Sequence, residues 1–206
     1  MLVLQQQNAR EDLSKCLIAL GSNLSNEIGA SVKIVEAAID DLSSIGLFPV
    51  EISRFFRTPA FPAGAGPDFV NAVVYCETAL GAEAVLEALH KVEQRLGRTR
   101  DKRWEARVID LDLIDFAGQV LPDIATFSQW RDLPIKLQME RAPGRIILPH
   151  PRIQDRLFVL IPLRDVAPDW RHPVSGATLD QLINAFGEKD VAQIVPYNDG
   201  DGAGAG

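Results

Sequence analysis

The order in which apolar residues repeat along this chain limits it to very few folds. KCLIAL (Lys15 to Leu20) reads as a short buried strand and runs into GSN, a turn sequence whose Asn23 or Ser25 is suited to cap the next helix. From about Asn26, the apolar residues Ile28, Val32, Val35, Ile39 and Leu42 recur at helical spacing, and Gly46 suits the stop. VEISRFFRT and DFVNAVVYCET then read as two strands separated by the loop PAFPAGAGP. Val85, Leu89, Val92 and Leu96 mark a second helix from Ala82 to Leu96, and Val108, Ile109, Leu111, Leu113 and Ile114 a further strand. The order is β-α-β-β-α-β. It predicts an α+β fold with a ferredoxin-like core: an antiparallel sheet with two helices covering one face.

Beyond that core the pattern is weaker. Residues 117–146 read as irregular apart from a helical piece around Leu133 to Arg141. RIILPHPR and FVLIPL suggest further short strands, and TLDQLINAF a last helix. Residues 14–196 are expected to form a single domain, with 1–13 a disordered leader and 197–206 a disordered tail that has nothing to bury.

The net charge of −7 disfavours a general nucleic-acid binder, which usually carries a basic face. Any anionic ligand must be held by a local basic island, and residues 91–107 supply one. Lys91, Arg95, Arg98, Arg100, Lys102, Arg103 and Arg107 are opposed there only by Glu93, Asp101 and Glu105. The start MLVLQQQNAR lacks the basic and apolar regions of a signal peptide, and no apolar run approaches the ~20 residues that span a bilayer. A cytoplasmic protein is expected. Cys16 and Cys76 have no His or Cys at metal-ligand spacing and read as buried free thiols.

The chemistry concentrates in RWEARVIDLDLIDF (Arg103 to Phe116). Residues two apart on a strand face the same side, so Asp110 and Asp112 project together from an otherwise apolar strand. Paired carboxylates suit two Mg²⁺ ions, which prefer hard oxygen ligands and clamp the oxygens of a phosphoryl displacement. Taken alone, an Asp-x-Asp equally fits a strand end whose acids face water. Arg98, Arg100, Arg103 and Arg107 tip the balance, because guanidinium forks match phosphate oxygens while carboxylates hold the neutralising metals. No Walker loop or protein-kinase signature is present, so a metal-bound polyphosphate would be handled by other means.

Phe69 and Asn71 share a strand face, a pairing that suits stacking on a flat heterocycle and hydrogen bonding to its edge, or simply core beside a polar edge residue. Arg156 and Phe158 in DRLFVL alternate onto one face if that run is a strand. His150 lies between two prolines that would fix its ring, the setting of a structural turn histidine as much as of a ligand-binding one.

The ordered set GSNL, FFRTPAF with DFVNAVV, E-x₃-GR, RW-x₂-R-x₂-DLDL, and LPHPR with R-x-F resembles the 6-hydroxymethyl-7,8-dihydropterin pyrophosphokinase family, from about Lys15 to Pro168. The resemblance implies transfer of a diphosphate from ATP, the co-substrate, to the hydroxymethyl oxygen of the pterin, with release of AMP. By motif, Asp110 and Asp112 would hold two Mg²⁺ ions and Arg98 and Arg107 would grip the phosphates. Glu93, Arg100, Arg103, Trp104, Leu113, His150 and Arg156 would serve ATP, with Trp104 on a loop that closes over the site. Thr58, Pro59, Phe69, Asn71 and Phe158 would hold the pterin, the two rings sandwiching it. The partners implied are these two small molecules, with no nucleic acid and no membrane, for a chain expected to be a monomer. Glu105-Ala106 stands where the family often has Gly-Pro, Asp101 where a basic residue is common, and Phe69 where Tyr is common. Residues 119–146 look like an insertion relative to compact relatives.

Overall fold

The computed structural model describes residues 13–60, 66–97, 107–134, 137 and 141–198. Most of the expected leader and tail lies outside the described residues, as do Arg98, Arg100, Arg103 and Trp104.

Strand β1 (Ser14–Ser22) is central, paired antiparallel to β4 (Phe69–Thr78) on one side and β5 (Asp110–Phe116) on the other. The outer side of β4 takes two short strands in succession, β2 (Phe48–Ile52) and β3 (Phe56–Thr58), and β3 pairs in turn with β6 (Val195–Pro196). Every pairing is antiparallel, and the sequence of β1, α1 (Ser31–Leu42), β2/β3, β4, α2 (Ala82–Arg95) and β5 is the ferredoxin-like arrangement.

One face of the sheet, carrying Ile18, Leu20, Ala72, Val74, Leu111 and Leu113, packs against the apolar stripes of α1 (Ile34, Val35, Ala38, Ile39, Leu42) and α2 (Val85, Leu89, Val92). Cys16 and Cys76 oppose each other across β1 and β4 in this core as buried free thiols; a side-chain hydrogen bond with Cys16, together with burial, pushes the Cys76 thiol up. The opposite face carries Leu17, Ala19, Val73 and Ile114 and is not bare. It is covered by α4 (Leu157–Val166) and α5 (Leu179–Ile183). Helices therefore lie on both faces, not one.

That covering helix is FVLIPL, the run expected to be a strand. Leu157, Val159, Leu160, Ile161, Pro162, Leu163 and Val166 are all buried, so the run is apolar nearly all round and carries no period to read. RIILPHPR is no strand either: Leu148 makes an isolated bridge to Leu121, and the His150 backbone N–H donates to the Ile114 carbonyl at 2.8 Å. VEISRFFRT breaks into β2 and β3 because the Ser53 hydroxyl takes over part of the ladder, accepting from the Val73 N–H at 2.9 Å while the Ser53 N–H donates to the Val73 carbonyl. Helix α1 begins at Ser31 rather than near Asn26. Asn26 Oδ1 accepts from the Ile28 N–H at 2.9 Å, closing an Asx turn, and the uncapped N-cap is Ala30. At the far end, Gly46 takes φ +83°, a left-handed conformation that stops the helical chain as expected.

The stretch read as irregular contains α3 (Ile124–Arg131), whose N-cap Asp123 accepts from the Thr126 N–H at 2.8 Å. Its Phe127 is fully buried and meets the His172 ring edge-on at 5.7 Å, while Trp170 meets the same ring at 5.9 Å. Helix α3, within the stretch expected to be an insertion, thus clips onto the C-terminal turn. Of the expected helical piece, 135, 136 and 138–140 lie outside the described residues. TLDQLINAF does form a helix, α5, with a Thr178/Gln181 capping box, but it is not the last: α6 (Glu188–Val191) and β6 follow. Tyr197, expected in the tail, donates its N–H to the Phe55 carbonyl at 2.8 Å.

Candidate active site

The register of three strands sets the floor of the site. Gly21 on β1 lies opposite Asn71 on β4 and opposite Asp110 on β5, and one pair further along Ala19 lies between Val73 and Asp112. Paired residues point to the same side of a sheet, so Asn71, Gly21 and Asp110 form a row on the α4 face, with the outer two roughly 10 Å apart across two strand spacings. Gly21 contributes no side chain to that row, and an added Cβ there would sit 2.7 Å from Asn71 Oδ1. A glycine leaves the floor flat and Asn71 room to turn its amide.

Two acids and two arginines face each other at one end of the row. Arg107 Nη1 lies 2.6 Å from Asp110 Oδ2, and Arg156 Nη1 donates to Asp112 Oδ2 in a short ion pair. Arg156 is not on a strand, as its alternation with Phe158 suggested. It is the N-cap residue of α4, with its guanidinium 5.9 Å from the Phe158 ring in the first turn. Burial by itself would raise the Asp112 carboxyl, but the charge and hydrogen bond of Arg156, with Arg107 beyond, hold it well below the usual carboxylate range. Burial and the Arg156 charge also push the neighbouring His150 down, to about 3, so its ring is neutral at pH 7. Its Nδ1 accepts from the Arg152 N–H at 3.1 Å, which leaves Nε2 to carry the proton.

The other end of the row is neutral. Asn71, buried, donates from Nδ2 to Thr58 Oγ1 at 2.7 Å, and Thr58 lies opposite Phe69 in the β3–β4 ladder. Pro59, just beyond, is exposed. Phe158 is 38 % exposed although most of its helix is buried on the sheet, which leaves its ring available for stacking.

Two residues assigned by resemblance to ATP face elsewhere. Leu113 alternates to the α1/α2 side and packs in that core, so its side chain does not join the carboxylates. Glu93 is buried on α2, where Oε1 accepts from the Leu111 N–H at 2.8 Å and fastens the helix to β5. Asn23, read only as a possible helix cap, instead bonds the backbone of both Pro67 and Arg107, and nothing in the local sequence announces this. A cavity of about 350 Å³ bounded by Lys15, Tyr75, Asp115 and Trp170 lies at the other end of β5 and shares no residue with the acid–arginine cluster.

The sequence and the fold have counterparts. Residues 17–168 match the family model described as 7,8-dihydro-6-hydroxymethylpterin-pyrophosphokinase (HPPK), more than half of the chain. The chain belongs to the HPPK family. It is thus a pyrophosphokinase, a diphosphotransferase. A Synechocystis 2-amino-4-hydroxy-6-hydroxymethyldihydropteridine pyrophosphokinase is 34% identical over 181 residues, covering 87% of this chain and 80% of the relative. A Pseudomonas aeruginosa protein of the same name is 35% identical over 176 residues, 84% of this chain and 92% of that one. Among solved structures, Plasmodium falciparum HPPK-DHPS with pterin and p-hydroxybenzoate superposes with a TM-score of 0.59 at 13% identity, a likeness of fold. It covers 84% of this chain, and this chain spans 43% of that longer HPPK protein. Among the described residues no helix is long and apolar enough to cross a membrane.

The donor set fits the Mg²⁺ of a nucleotide better than a resident ion. Among the described residues no group of three or more His, Cys, Asp or Glu gathers to cage a metal. Two carboxylates on one face are what an octahedral Mg²⁺ takes from protein when waters and phosphates complete its shell.

Proposed function

We propose that this HPPK transfers a diphosphate from ATP to the hydroxymethyl oxygen of 6-hydroxymethyl-7,8-dihydropterin, in a Mg²⁺-dependent step of folate synthesis that releases AMP. The observation that carries the reading is the row that joins the Asp110/Asp112 pair and its two arginines to the Asn71–Thr58 amide across a floor of Gly21 and Ala19. One end suits a polyphosphate and the other a flat, hydrogen-bonding ring.

Asn71 would read the pterin edge, with Thr58 fixing the orientation of its amide, while Phe69 and Phe158 stack on the ring. Asp110 and Asp112 would hold two Mg²⁺ ions. When bound, these supply charge neutralisation on the phosphates and a lowered pKa at the attacking hydroxyl. Arg107 and Arg156 pair with the two acids, and each guanidinium would turn from carboxylate to phosphate as cation and nucleotide arrive together. Arg98, Arg100, Arg103 and Trp104 would complete the ATP side by sequence match. Leu113 has no side-chain part in it.

Asp112 would act as a ligand, its carboxylate kept charged by Arg156 until the cation takes that place. Most of the catalysis is then positioning and charge neutralisation in an in-line displacement at the β-phosphorus. The reading takes the chain as a cytoplasmic monomer acting on two small molecules. The experiment is AMP release from ATP by purified protein, with and without Mg²⁺ and the pterin. AMP formed only when both are present is expected; ADP as product, or turnover without Mg²⁺, would overturn it.

A further inference from the structure

Strand β1 stops at Ser22, and the next residue continues its work with a side chain. Asn23 is 3% exposed. Its Oδ1 accepts from the Arg107 N–H at 2.9 Å, and its own N–H donates to the Arg107 carbonyl at 3.2 Å. Its Nδ2 donates to the Pro67 carbonyl at 3.2 Å. One asparagine therefore grips the chain entering β5, just ahead of Asp110, and the chain entering β4, just ahead of Phe69 and Asn71. These are the two halves that the proposed reaction must bring together.

We propose that Asn23 is a positioning residue that sets the separation of the phosphate half of the site from the pterin half. The inference rests on the pyrophosphokinase reading above. Asn23 need touch neither substrate. Arg107 is held at its backbone in both directions, which fixes where its guanidinium starts, and Pro67 ties the pterin strand to the same side chain. In-line transfer needs the hydroxymethyl oxygen and the β-phosphorus within about 3–3.5 Å, and a misplacement of about 1 Å can cost on the order of a hundredfold in rate. A residue that fixes the spacing of two half-sites acts on kcat while leaving each half able to bind its own ligand. Asparagine suits the task because it offers an acceptor and a donor on one short side chain. Aspartate would keep the acceptor for the Arg107 N–H and replace the donor to Pro67 with an oxygen, so Asn23→Asp cuts one tie and Asn23→Ala cuts both side-chain ties.

The test is to measure kcat for AMP release, the separate dissociation constants of a non-hydrolysable ATP analogue with Mg²⁺ and of the pterin, and the thermal midpoint, for the parent, Asn23→Asp and Asn23→Ala. The expected result is a kcat loss of about tenfold for Asn23→Asp, one hydrogen bond's worth, and a larger loss for Asn23→Ala, with both dissociation constants within about twofold of the parent. Asn23→Asp with parental kcat overturns the proposal. So does a kcat loss that vanishes when rates are normalised to the folded fraction, which would make the role one of stability alone. Should Asn23→Ala fail to fold, Asn23→Asp, which keeps the Arg107 bond, decides. A parent that releases no AMP would refute the underlying reaction instead.

Discussion

Asp112 and Asp115 belong to the same strand, β5, and the irregularity beside Leu17 and Ile18 puts both on the α4 face, yet their surroundings push the two carboxyls in opposite directions. Asp112 is met by the guanidiniums of Arg156 and Arg107, and their charges overcome the cost of burial. Among the described residues Asp115 is met by neutral donors, the Gly118 N–H at 2.9 Å and Trp170 Nε1 at 3.3 Å, and burial keeps its carboxyl raised. Neutral hydrogen bonds orient a carboxylate. Converging cations keep it charged, which is what a metal ligand requires. On the proposed reading, the difference separates the acid that would hold a metal from one that would serve the fold alone.

The strongest way to break this comparison is to neutralise each acid in turn. Asp112→Ala should lower AMP release at least about a thousandfold, on the order of 4 kcal/mol of transition-state stabilisation, while the far-ultraviolet spectrum stays native. Asp115→Asn, which keeps an acceptor for the Gly118 N–H, should stay within about threefold of the parent. If the two variants lost activity alike, β5 would be one structural unit and the distinction would fall. The next largest effect tests the floor between the half-sites. Gly21→Ala puts a methyl 2.7 Å from Asn71 Oδ1, so the amide must turn away from Thr58. The pterin KM should rise about tenfold or more while the affinity for ATP holds, and a pterin KM unmoved would show that Asn71 does not read the ring.

How far the sequence reveals all this depends on whether the governing contacts are local. The two-residue period of a strand makes the shared face of Asp110 and Asp112 readable from their spacing, and α1 and α2 are readable because only one stripe of each is apolar. Helix α4 hides because it is buried nearly all round, and Pro162 argues against a helix to any local reading. The break between β2 and β3 depends on a serine hydroxyl meeting Val73 from a strand far along the chain. Arg156 is marked by the R-x-F motif, but its partner Asp112 shows only once α4 aims it there. The motif GSN contains Gly21 and Asn23, but only the register shows that the first is a gap and the second a tie.

The smallest expected effect sharpens the comparison through stability. The His150 pKa is about 3 in the folded chain against about 6.5 when unfolded, so between these values the unfolded chain binds more protons and stability must fall as pH falls. His172 has the same sign, since burial lowers it as well. Asp112, held low by Arg156, loses its contribution only as pH drops below about 4. Asp115 has the opposite sign: its raised carboxyl favours the folded state on protonation, and that contribution is lost as pH rises through the folded value. Urea midpoints at pH 7, 6 and 5 should therefore show a loss of about 1 kcal/mol attributable to His150, because its ring is partly exposed and feels less than the full burial penalty. His150→Asn should flatten that slope. Asp115→Asn should raise stability at pH 8 by less than about 1 kcal/mol and steepen the acid-side slope, because it removes a group that resists acidification. An Asp115→Asn variant with the parent's slope would mean that the Gly118 and Trp170 donors offset burial and leave that carboxyl unshifted on folding, and the contrast with Asp112 would then rest on the arginines alone.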